Sequence, residues 1–561
     1  MKKNNYVKQM ALQFLFILLG IGYGYAQLGE RVYIQTDKQL YISGELLWFK
    51  LYTTDTEGKL NAFSKVGYVE LLNDSVPEVQ VRLDIASGSA NGWMELPATL
   101  PTGYYRLTAY TRFMLNEGEK VYFEKIIAVV NPYIPQDESS KVISNLQSFQ
   151  TKKTENNTLL LSADQTNYAL RSNGKINIQG LPSDSISLAV AICGIEPELE
   201  ASPTVQEWKN HLQKQNIPQS ATHILPEYEG PIYEGNLIDI NTNQPSTELG
   251  IIGLLSCPGK NIQIFNGQSD KSGHIAFYTG MTHGKKEITT VAMSPPGKSY
   301  RIDIQSPFLN HKAKQLPAIY MDTTWHRYLL QRSLGVQVMQ VYTGDSISQI
   351  ESAKIYEFSK PYKSYTLDDY TRFPFIEEIF TEFIAAARIN KKEGKRSFTV
   401  LTEQMDRYSN QTLVLFDNIP IIDQDQICNC NPLLIKKIDV YLGRYIFGGQ
   451  PFDGILSFTT YKGDYQGIKL DPGTQIFDKF CTQPTRYFYA PAYNTEASIK
   501  SPLPDFRHTL LWEPNLQTNG EKELTIPFTT SDLPGEYLIT VEGIGKNGAT
   551  VSGTYKIKVG D

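Results

Sequence analysis

Serines, cysteines, histidines and paired carboxylates are the side chains from which this sequence could build a reactive site, and their spacing decides whether it does. Gly88-Ser89-Ala90-Asn91-Gly92 sets a serine among glycines, but one place away from the nucleophile-elbow position and within a Gly/Ser turn instead of between a strand and a helix. A structural turn is expected there. Asp368-Asp369 and Glu377-Glu378 pair carboxylates near a helix start, where the helix dipole favours negative charge without any acid/base role. No glycine-rich phosphate loop of either common spacing occurs. The seven histidines are scattered without a two-His helical spacing, and Cys428-Asn429-Cys430 has no second Cys or His pair at zinc-finger distance. On spacing alone the sequence offers no catalytic, cofactor-binding or metal-ligating set, and neither an enzyme nor a cofactor is expected.

The N-terminus carries an address instead. Lys2, Lys3 and Lys8 precede an apolar run from Met10 to Leu19, and Gly24-Tyr25-Ala26 then puts small residues at the −3 and −1 positions of a cleavage site, the order of a secretory signal peptide. The run is well short of the ~20 residues that span a bilayer. Gln27 would begin the mature chain, and because it is not a cysteine no lipid anchor is expected. The formal charge of −6 becomes −9 once those three lysines are removed, opposite in sign to a nucleic-acid-binding surface, so nucleic acid is excluded as a partner. Five cysteines would then face an exported compartment. Buried thiols are expected, with a disulfide from Cys428 or Cys430 to Cys481 as the alternative.

Elements follow from patterning. From Arg31 to Pro132 the chain alternates, is rich in Val, Tyr, Phe and Thr, and turns at Ser43-Gly44, Glu57-Gly58, Asn91-Gly92 and Thr102-Gly103, which predicts an antiparallel β-sandwich over 27–134. A second β unit is expected over 155–200, where Asp164 and Tyr168 repeat the interval of Asp37 and Tyr41. Val205, Trp208 and Leu212 share one helical face behind Ser202-Pro203, predicting a helix in a linker over 201–230. Asp270-Lys271-Ser272-Gly273 reads as a tight hairpin turn in a further sandwich over 231–310. After a connecting segment over 311–373, Ile376, Ile379, Phe380, Phe383, Ile384 and Ala387 form an apolar helical stripe opposite Glu377, Glu378 and Glu382. The tail over 466–561, with Leu524–Phe528 and Gly535-Glu536-Tyr537-Leu538-Ile539, predicts a closing β-sandwich. The fold class is therefore mainly β, tandem sandwiches with one small α+β domain, and 561 residues fit several domains at roughly 100–200 residues each.

Val32 to Lys38, then Tyr41-Ile42-Ser43-Gly44-Glu45, Leu47-Trp48-Phe49-Lys50 and Gly103 to Thr111 resemble the macroglobulin domain of alpha-macroglobulins and of many exported Bacteroidota proteins. The unit over 155–200 resembles a second such domain. Glu234-Gly235, Asn243-Gln244-Pro245 and Asp270 to Phe277 resemble the carboxypeptidase-regulatory-like sandwich. Leu413 to Pro420, Ile435 to Tyr441, Gly448-Gly449 and Gly454 to Thr460 resemble the plug domain of TonB-dependent receptors over 374–465, with Asp417-Asn418 where that family usually has Asp-Gly. A 22-stranded receptor barrel needs on the order of 220 residues in strands. Only 96 follow position 465, so the resemblance implies a plug-like module without its barrel.

An alpha-macroglobulin trap uses a Cys-Gly-Glu-Gln thioester, and the nearest match, Cys193-Gly194-Ile195-Glu196, lacks the glutamine, so covalent trapping is not expected. What the resemblances imply is a non-enzymatic envelope scaffold or accessory subunit. Its expected partner is an outer-membrane protein or complex, on the periplasmic side or at the cell surface. The loop at Gly448, Gly449 and Gln450 is the candidate contact, since rigid β-scaffolds place recognition on loops. A glycan- or protein-binding adhesin is the alternative. The 34 tyrosines suit sugar stacking, and strand propensity explains them equally. A noncovalent protease inhibitor is a remote third. Asp74-Ser75-Val76, Asp184-Ser185-Ile186 and Asp345-Ser346-Ile347 resemble the O-glycosylation sequence of Bacteroidota envelope proteins, or are chance.

Overall fold

The structure, a computed structural model, describes residues 29–134, 157–196, 203–212, 224–257, 263–280, 287–319, 325–342, 360–447, 450–477 and 482–560. The signal-peptide segment, Asp345-Ser346-Ile347, Gly448, Gly449 and Cys481 lie outside them. The chain divides into two units, one of residues 1–228, 310–351 and 485–561 and the other of residues 229–309 and 352–484.

The first unit opens with β1 (Glu30–Thr36), β2 (Leu40–Ile42), β3 (Leu46–Asp55), β4 (Val66–Asn73), β5 (Val76–Asp84), β6 (Ser89–Glu95), β7 (Gly103–Tyr110) and β8 (Phe123–Val130). They form two sheets, β1-β3-β6 and β2-β8-β7-β4-β5, antiparallel except for the parallel pair β2–β8. Alternation puts Val69, Leu71, Leu107 and Ile127 into the space between the sheets. Next come β9 (Leu160–Ala163), β10 (Asn167–Tyr168), β11 (Asn173–Gln179), β12 (Ser185–Gly194) and helix α1 (Val205–Leu212), which buries Val205 and Trp208.

The second unit begins with β13 (Ile232–Asp239), β14 (Gln244–Pro245), β15 (Ile252–Cys257), β16 (Gln263–Gln268), β17 (His274–Tyr278), β18 (Ile288–Met293) and β19 (Tyr300–Ile304). β13 pairs with β14, β17 and β19, and facing them runs a sheet β16-β15-β18. Tyr233, Leu255, Phe277 and Ile302 fill the core between. The Asp270 carboxylate accepts from Ser272 N, Ser272 Oγ and His274 N, and Gly273 takes φ 78°, so the hairpin turn forms on side-chain capping plus a glycine in the left-handed region.

The segment from 311 to 373 is not merely connecting. It holds helix α2 (Trp325–Tyr342), part of the first unit, and β20 (Lys363–Thr366) of the second. Helix α3 (Ile376–Glu382), β21 (Ala387–Lys392), β22 (Lys395–Leu401), β23 (Tyr408–Ser409), β24 (Leu413–Phe416), β25 (Ile419–Pro420), β26 (Ile435–Phe447), β27 (Gln450–Thr460) and β28 (Gln475–Phe477) follow. They build a mixed sheet β20-β26-β27-β24-β25 and a smaller one, β21-β22-β23, over a core of Ile376, Ile379, Phe380, Ile384, Phe398, Phe416, Ile438 and Phe458. The helix is shorter than its apolar stripe predicts. Ala387 pairs with Val400, and that strand pairing outweighs the helix propensity of the alanines before it. Asp417 and Asn418 take φ 48° and 69°, the two left-handed residues of a tight hairpin between β24 and β25, a conformation that Asp and Asn tolerate. Cys428 and Cys430 are buried free thiols in this core, so the disulfide alternative is not realised at either.

The last strands correct the domain reading most. β29 (Thr509–Asn519), β30 (Glu523–Thr529), β31 (Gly535–Gly545) and β32 (Thr550–Val559) form no sandwich of their own over 466–561. They complete the one begun by β9 to β12, in sheets β9-β11-β30 and β10-β32-β31-β12-β29. β28 joins β18 in the other unit. Strand for strand this order repeats the first sandwich, including the parallel pair β10–β32 in place of β2–β8. The second sandwich is therefore a copy of the first, interrupted between its fourth and fifth strands.

Shared local devices support the duplication. Tyr41 Oη donates to Asp37 Oδ1 at 2.7 Å and Tyr168 Oη to Asp164 Oδ1 at 2.6 Å. The same carboxylates accept from Trp48 N and Lys175 N, each 11 residues on. In β7 and β31, Tyr105 and Tyr537 donate to the carbonyls of Pro101 and Leu533, both at 2.8 Å, the tyrosine-corner arrangement of β-sandwiches. Asp37 is buried whereas Asp164 is exposed. Asp37→Ala is therefore expected to destabilise by about 2 kcal/mol and Asp164→Ala by about 1 kcal/mol, since only the buried site leaves unpaired donors away from water. Urea midpoints of the two variants check the order, and equal shifts would contradict it.

Candidate functional site

The densest group of chemistry-bearing side chains lies in the first unit, where the chain leaves β12 and returns at β29. Three segments supply it: the turn from β1 to β3 gives Asp37, Lys38, Tyr41 and Glu45, helix α2 gives Tyr328 and Arg332, and the exit and return give Cys193, Glu196, His508 and Thr509. Asp37 Oδ2 accepts from Lys38 Nζ at 3.0 Å and from Thr509 Oγ1 at 2.9 Å. Arg332 donates to both Glu45 oxygens at 2.6 and 2.8 Å and to Tyr328 Oη at 2.6 Å. Tyr328 Oη stands 3.3 Å from His508 Nε2. Glu196 Oε2 accepts from the Gln39 and Leu40 amides, while its Oε1 is buried with no hydrogen-bond partner among the described residues, 3.8 Å from Arg332. Cys193 Sγ lies 3.8 Å from Thr509 Oγ1. The His508 ring rests on Gly194, whose absent Cβ would fall 2.4 Å from its Cε1.

Burial sets the protonation of these groups. It pushes the Cys193 thiol far above its ordinary range, with Glu196 adding to the shift. The same desolvation raises the Glu196 carboxyl to about 7 against the pull of Arg332. It also holds His508 well below its usual value, aided by Arg332 and Lys38. Lys38 and Glu45 go the other way: desolvation opposes their charges, but Asp37 and Glu45 around the lysine, and Arg332 and Lys38 around the glutamate, outweigh it. A neutral thiol beside a neutral imidazole is not an activated nucleophile, and no thiolate–imidazolium pair is set up. The arrangement suits cross-linking of three chain segments.

Other candidates are separated. Ser89 sits next to Gly88, φ 82°, at the start of β6, a turn serine away from the cluster. Asp368 and Asp369 form a 3-10 turn, and Glu377 pairs with Lys391 and Arg396 at the start of α3. Of the contact loop, Gly448 and Gly449 lie outside the described residues, and Gln450 is described through its backbone pairing with Phe447. The sequence reading missed the cluster because Cys193 and Thr509 are 316 residues apart. One signal could have found it: Leu100-Pro101-Thr102-Gly103-Tyr104-Tyr105 returns as Leu533-Pro534-Gly535-Glu536-Tyr537, which assigns the tail to the second sandwich.

Another buried cation lies between the two sandwiches. Lys50 Nζ donates to Ser187 Oγ, Leu188 O and Pro514 O at 2.6–3.0 Å. Burial pushes its pKa down to about 7, with Glu513 pulling upward. The unfolded chain keeps that proton to about 10.5, so between the two values the unfolded state binds more protons and stability rises with pH. Relative to Lys50→Met, the wild-type chain is expected to gain stability as pH climbs through this window. Urea titrations at both ends measure it, and a pH-independent difference would show that Lys50 does not titrate there.

No protein-family model and no curated protein matches the chain. Solved structures similar to it include Salmonella alpha-2-macroglobulin reacted with methylamine, at 10% identity and TM-score 0.25, covering 95% of this chain and 39% of that one. Escherichia coli alpha-2-macroglobulin activated by porcine elastase gives 9% and 0.25, covering 95% and 44%. Yersinia pseudotuberculosis adhesin InvE gives 12% and 0.14, covering 50% and 60%. The chain thus spans about two fifths of the alpha-2-macroglobulin chains it matches.

Proposed function

We propose that this chain is a non-enzymatic, exported envelope protein whose β-modules act as a scaffold or accessory subunit for an outer-membrane receptor, transport or assembly complex. The observation that carries the reading is the duplicated sandwich, whose second copy accommodates an entire further unit between β12 and β29. Such an architecture spaces and presents modules, and its densest polar cluster is consumed in holding segments together. The macroglobulin-like character rests on the motifs from Val32 to Thr111 and their structural repeat. The outer-membrane partner rests on the plug-like order of the strands from Leu413 to Thr460.

The test is a crosslinking pull-down from native envelopes with the full chain. A scaffold should bring down a membrane barrel, and changing Gly448, Gly449 or Gln450 to charged residues should weaken that capture. Recovery of no barrel, together with unaided binding of soluble glycan or protein, would replace the scaffold with an adhesin.

A further inference from the structure

We propose that Cys193, Glu196 and His508 form a three-ligand site for a borderline divalent cation, with zinc the best match. Each offers one donor atom, and the three atoms lie within 4.8 Å of one another. Thiolate, carboxylate and imidazole are the ligands zinc takes, and bonds of about 2.0–2.3 Å in a tetrahedron put donors roughly 3.5 Å apart, so a contraction of about 1 Å closes the set.

Three features favour a metal over a plain hydrogen-bond cluster. Glu196 is already held through Oε2 by two backbone amides, leaving buried Oε1 without a hydrogen-bond partner among the described residues and with only the 3.8 Å ion pair to Arg332. Among the described residues, the hydrogen-bond contact of Cys193 Sγ is a weak one, 3.8 Å to Thr509. His508 Nε2 faces Tyr328 Oη, itself fixed by Arg332, and the ring also makes a backbone hydrogen bond at Gly194, outer contacts of the kind that orient a ligating imidazole.

Charge also balances. Lys38 and Arg332 face the site and pair with Asp37 and Glu45, and a third buried cation that acts on Glu196, Lys125, is offset by Glu542. A thiolate and a carboxylate then match one divalent ion, with the thiol and carboxyl protons released to solvent on binding. Such an ion would staple β12 to the strand that returns as β29, closing the interrupted sandwich at its insertion point. This inference does not depend on the scaffold reading.

The experiment loads the full chain with zinc alone, desalts it and measures retained metal, then repeats the loading with cobalt(II) to look for a thiolate-to-cobalt charge-transfer band. Stoichiometric zinc and the band are expected in the wild type and in a Cys428→Ser/Cys430→Ser double variant, and both should be lost in Cys193→Ser. Tyr328→Phe, which keeps all three ligands, should weaken zinc binding by about 10–100-fold. Far-UV circular dichroism establishes that each variant is folded. The wild-type cobalt spectrum decides the matter even where a variant fails to fold. A wild-type chain that retains no zinc or shows no band, or a folded Cys193→Ser chain that retains both, would overturn the site.

Discussion

Arg332→Ala is expected to destabilise the first unit by about 3–5 kcal/mol, because in a desolvated setting it leaves Glu196 without its ion-pair partner and Glu45 with only Lys38, 3.7 Å away. The guanidinium is 3% exposed and bonds both Glu45 oxygens and Tyr328, so water does not replace it cheaply. All five tryptophans lie in this unit, at positions 48, 93, 208, 325 and 512, and their fluorescence follows its unfolding selectively. Combining Arg332→Ala with Glu45→Gln should destabilise less than the sum of the two single changes, since the double variant removes charge from both sides. Additive effects would mean that the pair acts only through packing.

Phe380→Ala is expected to destabilise the second unit by about 3–5 kcal/mol, the range for large aromatic truncations at sites that cannot collapse. Phe380 is 6% exposed, with ring centroids 5.0 Å from Phe398 and 6.2 Å from Phe458. Because that unit has no tryptophan, the loss should appear in the far-UV dichroism transition while tryptophan fluorescence keeps its midpoint. An unchanged dichroism transition would show that the aromatic cluster does not support α3. Movement of the fluorescence midpoint would show instead that the two units unfold together.

If the scaffold reading is right, these two variants should part company in function as well. Phe380 supports the second unit, which carries the proposed contact loop, so its truncation should weaken barrel capture. Arg332 acts on the duplicated sandwiches, and its loss should first lower the chain's lifetime in the envelope. Comparing capture per folded molecule with total folded protein separates the two effects.

Wherever the determinants are local, the sequence by itself was sufficient. Alternating Val, Tyr and Leu with Gly/Asn/Asp turns specified the first sandwich, and the stripe from Ile376 specified which helical face is buried, because both periodicities are set by backbone geometry within a few residues. The Asp270 turn was legible for the same reason. Tertiary structure decided the rest. Nothing between Gly194 and Thr509 announces that the chain will resume the same sheet, since strand pairing has no range limit and leaves no mark on either partner. β1 is buried on both faces because Tyr33 and Gln35, on the side that alternation alone would leave wet, bond Glu542 and the Ala189 carbonyl of the second sandwich. Lys50 and Arg332 read as ordinary surface charges in one dimension. They become buried cations only when segments hundreds of residues apart remove water around them and supply the acceptors that make burial tolerable.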